Sequence, residues 1–157
     1  MTRLVRTNSE DAAFRELVLQ LDKELKERDG DDHTFYAQFN KIDMIRHAVV
    51  AFEQEQPVGC GAFKQFEGST AEVKRMFVHP SVRNQGIASK VLKELEAWAK
   101  EVGFTDLVLE TGKAQPEAIN LYFKSGYRQI TNYGQYAGVD NSICMQKSLT
   151  EVSQSEV

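Results

Sequence analysis

Glu72-Val73-Lys74-Arg75-Met76-Phe77-Val78-His79-Pro80-Ser81-Val82-Arg83-Asn84-Gln85-Gly86-Ile87-Ala88 is the stretch from which the rest of the chain is read. Val73 to Val78 is strand-like, His79 to Val82 stops the strand, and Arg83 to Ala88 opens a long amphipathic helix. The loop therefore stands at a helix N-terminus, where the first four N–H groups lack intrahelical acceptors and the peptide dipoles leave partial positive charge. A phosphate fits such a site. Gly86 lets a backbone approach an anion closely, Ala88 keeps the next turn small, and Arg83 adds a fixed positive charge with several donors. The spacing predicts a pyrophosphate cradle.

Two familiar phosphate loops are absent: there is no Gly-x-x-x-x-Gly-Lys-Ser/Thr run and no Gly-x-Gly-x-x-Gly after a first strand. The stretch instead resembles the acyl-coenzyme A site of the GNAT superfamily of N-acyltransferases, Arg/Gln-x-x-Gly-x-Gly/Ala after a strand, which Arg83, Gly86 and Ala88 match. The resemblance continues upstream through Glu72–Val78 and downstream through Ala118 to Gly126, and covers the chain from about Val49 to Leu149. It implies an α+β, three-layer α/β fold: a single GNAT-like domain over 1–149, with a mixed central sheet of about six to seven strands flanked by helices. A polar tail, 150–157, follows.

Length and composition agree with one globular domain. At 157 residues, 41% hydrophobic and 27% charged, the chain is long enough to bury a core and is not composed like a disordered one. A formal charge of −4 argues against a nucleic-acid partner, which calls for a net basic face. No apolar run approaches the ~20 residues of a membrane helix and the N-terminus lacks a signal-like apolar core, so no membrane partner and a cytoplasmic location are expected. Cys60 and Cys144 lie inside strand-like runs and read as buried free thiols; His33, His47 and His79 are not paired at metal-ligand spacing, so no metal is expected.

In chain order, Leu4-Val5-Arg6 reads as a first strand. Asn8 or Ser9 then caps a helix with Phe14, Leu17, Val18, Leu21 and Leu25 on one face. The segment His33 to Phe39 suits a short aromatic helix. Ala48–Phe52 and Val58–Phe63 form a hairpin whose polar turn ends at Pro57, with Gly59 and Gly61 on one strand face marking either a bulge or a close approach. The helix from Gly86 to Val102 buries Ile87, Val91, Leu95, Trp98 and Val102, pairs Lys90 with Glu94 and Glu96 with Lys100, and stops at Gly103. A strand over Thr105–Glu110 follows, parallel to the one ending at Val78. Pro116 starts a helix that ends at Gly126, and Tyr127–Thr131 with Ser142–Leu149 make a closing antiparallel pair.

The resemblance also assigns roles. Acetyl-CoA is the implied co-substrate, held by Met76, Phe77 and Val78 of the strand, by Arg83, Asn84, Gln85, Gly86, Ile87, Ala88 and Ser89 of the loop, and by Gln115 and Tyr122. Gln115 stands where the family often has asparagine. Backbone N–H groups around Phe77 and Val78 would stabilise the oxyanion. Tyr122 occupies the position whose hydroxyl faces the coenzyme sulfur, and a phenol of pKa ~10 is a fitting donor to a thiolate of pKa ~8.5; the alternative is a core tyrosine with a satisfied hydroxyl. Glu72 is similar to the strand glutamate that acts as general base in some members, the alternative being an ion pair with Lys74 on the same strand face. Tyr36 lies in a region that in the family helps wall the acceptor pocket. From the residues themselves, Tyr133 in a loop of two tyrosines and two glycines and Glu110 at a strand end are the other expected acceptor-binding residues, the alternative for Glu110 being a second carboxylate. The expected reaction is direct acetylation of a small-molecule amine in a ternary complex, a homodimer being compatible with it. An acyl-CoA-binding sensor and a protein or peptide N-acetyltransferase are the competing readings.

Overall fold

The computed structural model describes residues 2–29 and 44–150. The aromatic segment 33–39, with Tyr36, lies outside the described residues. Among those described, the strands are β1 (Thr2–Thr7), β2 (His47–Glu53), β3 (Gln56–Glu67), β4 (Thr70–Val78), β5 (Asp106–Gly112), β6 (Arg128–Ile130) and β7 (Ser142–Ser148), and the helices α1 (Ala12–Asp29), α2 (Ile87–Glu101) and α3 (Pro116–Lys124). The strands form one mixed sheet in the order β1-β2-β3-β4-β5-β7-β6, an α+β fold of the expected class. Two compact units divide it, the first from residues up to Lys64 with Lys74–Leu95, the second from Gln65–Val73 and from Glu96 onward.

In the first unit, β1, β2 and β3 pair antiparallel in sequence. Strand side chains alternate between faces, and the alternation on β3 separates two packings. Cys60 and Ala62 join Ala48, Val50 and Phe77 in the cluster built on Phe14, Leu17, Val18 and Leu21 of α1. Gly59 and Gly61 point the other way, to α2: a Cβ on Gly61 would stand 2.5 Å from Met76 Sδ and 2.8 Å from Leu95 Cδ1, and one on Gly59 3.1 Å from Ile87 Cγ2. The glycine pair clears room for a helix.

Several local readings need correction. The helix α1 starts at Ala12, and Arg15 N–H donates to Asp11 O at 3.0 Å, so Asp11 is the cap position. Asn8 instead accepts from Glu10 N–H, and buried Ser9 accepts from Ile45 N–H at 3.1 Å, tying the chain before β2 to the start of α1. The hairpin turn is Gln54-Glu55, both left-handed at φ 49° and 65°, the combination that matches strand twist. Pro57 lies inside β3, opposite Phe52 at a register shift, where its missing N–H is tolerated.

In the second unit, β4 and β5 run parallel with Thr70, Ala71 and Glu72 opposite Asp106, Leu107 and Val108, as the crossover requires. β5 pairs antiparallel with β7, and β7 with β6. The end of α2 is a Schellman stop: Phe104 N–H donates to Ala99 O at 3.0 Å and Gly103 N–H to Lys100 O at 3.1 Å. That makes Val102 the cap residue, and it is 48% exposed rather than part of the buried ridge. The α2 carboxylates engage distant residues: Glu94 takes Arg6 at 2.7 Å in the first unit, and Glu96 takes Lys147 at 3.0 Å and the Tyr127 hydroxyl at 2.9 Å in the second.

Both cysteines are free and buried, as expected. Cys60 donates to Arg75 O at 3.3 Å, and burial pushes its thiol up to about 12. The folded chain keeps a proton that the unfolded chain releases near pH 9, so this contribution to stability is full below pH 9 and is lost as pH rises toward 12. Its ceiling is on the order of 4 kcal/mol. Denaturant titrations at pH 8 and pH 10.5 should show a smaller drop for Cys60→Ala than for wild type. Equal drops would remove Cys60 from the alkaline transition.

Candidate active site

The first unit carries the loop. Within β4, Arg75 adopts a left-handed conformation, φ 63°, which breaks the regular strand just before Met76, Phe77 and Val78. Its turned carbonyl is the one Cys60 satisfies. The Phe77 side chain belongs to the core against α1, so only its backbone is available to a ligand. After Val78, His79 N–H donates to Val58 O at 2.7 Å, and His79 Nδ1 accepts from Ser81 N–H at 3.1 Å, capping a single 3-10 turn over Pro80–Val82.

The chain then reaches α2 through exposed Asn84, Gln85 and Gly86, with Asn84 at φ 67° and Gly86 at φ 80°. Gly86 O accepts from Lys90 N–H at 3.1 Å, so the helix begins there, and the N–H groups of Ile87, Ala88 and Ser89 are first-turn donors without intrahelical acceptors. Nothing lies within 4 Å of the position a Gly86 Cβ would take. A cradle of backbone donors below open space fits a pyrophosphate.

Arg83 stands differently from a simple phosphate ligand. Its Nε donates to Val78 O at 2.8 Å and its Nη2 to Glu24 Oε2 at 2.6 Å, which ties the loop to the end of β4 and to α1. The guanidinium is a strut for the cradle.

The second unit gathers the remaining site residues. Glu72 is 5% exposed on β4 and accepts from Tyr133 Oη at 2.7 Å. Glu110, on β5 opposite Cys144, is half-buried. Burial raises the Tyr136 phenol first, and the charges of Glu110 and Glu72 raise it further. Burial likewise pushes Cys144 up to about 11, with Glu110 and Glu72 adding to it against a hydrogen bond from the Tyr133 backbone. Two carboxylates, three phenols and a thiol thus share one environment.

Tyr122 is the third phenol of this group. It is the buried residue of α3, 6% exposed, and it stands at the helix stop: Tyr127 N–H donates to Tyr122 O at 3.0 Å and Gly126 N–H to Phe123 O at 3.2 Å. Gly126, at φ 96°, permits that reversal, and the Tyr122 and Tyr127 rings meet edge to face at 5.8 Å. No hydrogen bond engages the Tyr122 hydroxyl among the described residues. Burial, then Glu110, raise its pKa well above the usual phenol range, so it holds its proton. Gln115 precedes α3 without capping it, its Nε2 3.7 Å from where a Gly112 Cβ would stand.

Tyr36 lies outside the described residues. Tyr136 and Cys144 are members of the acidic group that the motif alone did not single out; alternation places Cys144 opposite Glu110, and the short Gly134–Tyr136 turn buries Tyr136. Among the described residues no group of three or more His, Cys, Asp or Glu is placed to hold a metal, and no helix is long and apolar enough to cross a membrane.

Residues 12–127 match the Acetyltransferase (GNAT) family. An IAA acetyltransferase of Azospirillum brasilense is 35% identical over 150 residues, 91% of this chain and 97% of that protein. The chain belongs to the GNAT family of acetyltransferases. A candidate acyl-CoA N-acyltransferase from Klebsiella pneumoniae, 30% identical, superposes with a TM-score of 0.80 over 95% of this chain and 98% of that one. The PaiA N-acetyltransferase of Thermoplasma acidophilum, crystallised with coenzyme A, shares the fold at a TM-score of 0.70 and 16% identity, over 94% of this chain and 99% of that one.

This GNAT enzyme should lose coenzyme A binding in Gly86→Asp, because a carboxylate opposes the pyrophosphate and an L residue is strained at φ 80°. Calorimetry on the folded variant is expected to show at least a hundred-fold loss, about 2.7 kcal/mol. Wild-type affinity would move the coenzyme site elsewhere.

Proposed function

We propose that this GNAT acetyltransferase transfers the acetyl group of acetyl-CoA to the amine of a small cationic acceptor, by direct attack with both substrates bound. The carrying observation is the pair of carboxylates, Glu72 and Glu110, whose charges act together on Tyr136 and Cys144. A negative field among aromatic rings suits an ammonium. The name of the Azospirillum brasilense relative, IAA acetyltransferase, supports a small acceptor.

On this reading Asn84, Gln85, Gly86, Ile87, Ala88 and Ser89 hold the coenzyme phosphates on a loop that Arg83 braces, the backbone of Met76, Phe77 and Val78 takes the pantetheine arm, and Gln115 adds a side-chain contact. Acetyl-CoA supplies, when bound, a carbonyl activated by a thiolate leaving group. Glu72 takes one proton from the acceptor ammonium, leaving a neutral amine to attack. Tyr122 keeps a proton at its hydroxyl for the sulfur, and the second proton shed by the acceptor nitrogen restores it. One proton is released per turnover as C–N replaces C–S. Glu110 and Tyr133 bind the acceptor.

Tyr122→Phe should lower kcat by about a hundred-fold with the acetyl-CoA KM nearly unchanged, because the lost donor matters only as the thiolate departs. A wild-type rate would return Tyr122 to packing alone.

The acceptor class is tested by thiol release with spermidine, glucosamine and lysine peptides in competition. The small amines should win, and Glu110→Gln should raise their KM about ten-fold, the worth of roughly 1.4 kcal/mol. Preference for peptides would make the chain a peptide acetyltransferase, and an unmoved KM would take Glu110 out of the acceptor site.

A further inference from the structure

A glutamate side chain on a strand has several rotors, and its terminal carboxylate torsion is broad. Burial on β4 confines Glu72. The hydrogen bond from Tyr133 Oη to Glu72 Oε2, 2.7 Å long and spanning 61 residues of sequence, holds one oxygen of its carboxylate in place.

The phenol that makes this bond is itself held at every link. Its loop closes on its own backbone, with Tyr136 N–H donating to Tyr133 O at 2.9 Å, Val139 N–H to Tyr136 O at 3.0 Å and Ser142 N–H to Val139 O at 3.1 Å. Asn132 Nδ2 bridges Val139 O and Ser142 O at 3.0 Å each. The Tyr133 ring is wedged edge-on between Phe66 at 4.8 Å and Tyr136 at 5.8 Å. Burial first, then the charge of Glu72, raise the Tyr133 pKa far above the phenol range, so the group is a donor throughout the neutral range.

We propose that Tyr133 is the positioning residue of Glu72, its hydroxyl fixing the carboxylate in the orientation from which it takes the acceptor proton. This rests on Glu72 being the base of the proposed reaction. It adds a second role to the contact of the Tyr133 ring with the acceptor: the proton of its hydroxyl stays on Tyr133, and the effect passes through Glu72. The ring contacts survive in Tyr133→Phe, so that variant removes the hydrogen bond and keeps the packing.

The test is a double-mutant cycle on kcat, with acetyl-CoA and whichever of spermidine, glucosamine or a lysine peptide the wild-type enzyme turns over fastest. Tyr133→Phe should lower kcat about ten-fold and leave the acetyl-CoA KM unchanged, because a displaced catalytic group loses rate rather than coenzyme binding. Once Glu72→Gln has removed the base, adding Tyr133→Phe should cost nothing further. Effects that multiply in the double variant, or a wild-type kcat in Tyr133→Phe beside a slow Glu72→Gln, would overturn the positioning role and leave Glu72 as the base. A wild-type kcat in Glu72→Gln would overturn both.

Discussion

The constraint on which the first unit depends is the close seat of α2 on β3. Glycine in a strand interior costs roughly 0.5–1 kcal/mol relative to alanine, and β3 spends two of them, Gly59 and Gly61, on one face. Any Cβ there would meet Ile87, Val91 or Leu95 of α2 at 3.1 Å or less. With Ile87 pinned over Gly59, the first turn of α2 has a fixed place beside the end of β4, since the same Gly59 position lies 3.2 Å from Phe77 O. Few residues remain to join strand end to helix start. The joint is made by a 3-10 turn and two left-handed residues, Asn84 and Gly86. Arg83 locks it by donating to Val78 O, the last carbonyl of the strand it has just left. The donor cradle is thus a consequence of how tightly a helix can lie on a sheet.

The second unit obeys a different rule. Burying like charges near one another is costly unless donors stabilise them. Tyr133 supplies such a donor to Glu72, and phenols suit the task because they bring an apolar ring with one proton at its tip. The consequence is reciprocal: burial first, and then the carboxylates, hold the protons on Tyr122, Tyr133 and Tyr136. A region with negative charge and firmly protonated hydroxyls can receive a cation and give up a hydrogen bond. Both properties come from the same electrostatics.

Much of this was legible in the sequence because it depends on local pattern. The 3.6-residue stripe of Phe14, Leu17, Val18 and Leu21 gave α1 its buried face, and Pro116 and Gly126 bracket α3 as written. The strand–loop–helix order around Arg83, Gly86 and Ala88 carried the family. What was illegible depends on partners far along the chain. Glu94 and Glu96 face i+4 partners in a helical wheel, but Arg6 and Lys147 reach them in space. Arg83 has the residue type of a phosphate ligand, yet Glu24, 59 residues away, holds it. Arg75 is left-handed inside a strand, a conformation no side-chain pattern announces, and its carbonyl accepts from Cys60, 15 residues earlier. Ser9 offered a cap by type and serves instead as the acceptor for Ile45.

The stop of α3 shows how a local rule can place a reactive group. In a Schellman ending the residue three positions before the cap gives its carbonyl to the residue two past it, and the two side chains commonly touch. Here those residues are Tyr122 and Tyr127, so the backbone bond and the ring contact both hold Tyr122, and neither uses its hydroxyl. Tyr127 spends its own hydroxyl on Glu96. Phenylalanine at position 122 would keep the same ring packing. Packing therefore accounts for an aromatic ring at position 122 and gives no reason for the oxygen on it. In the proposed reaction the departing sulfur takes the proton which burial and Glu110 keep on that oxygen.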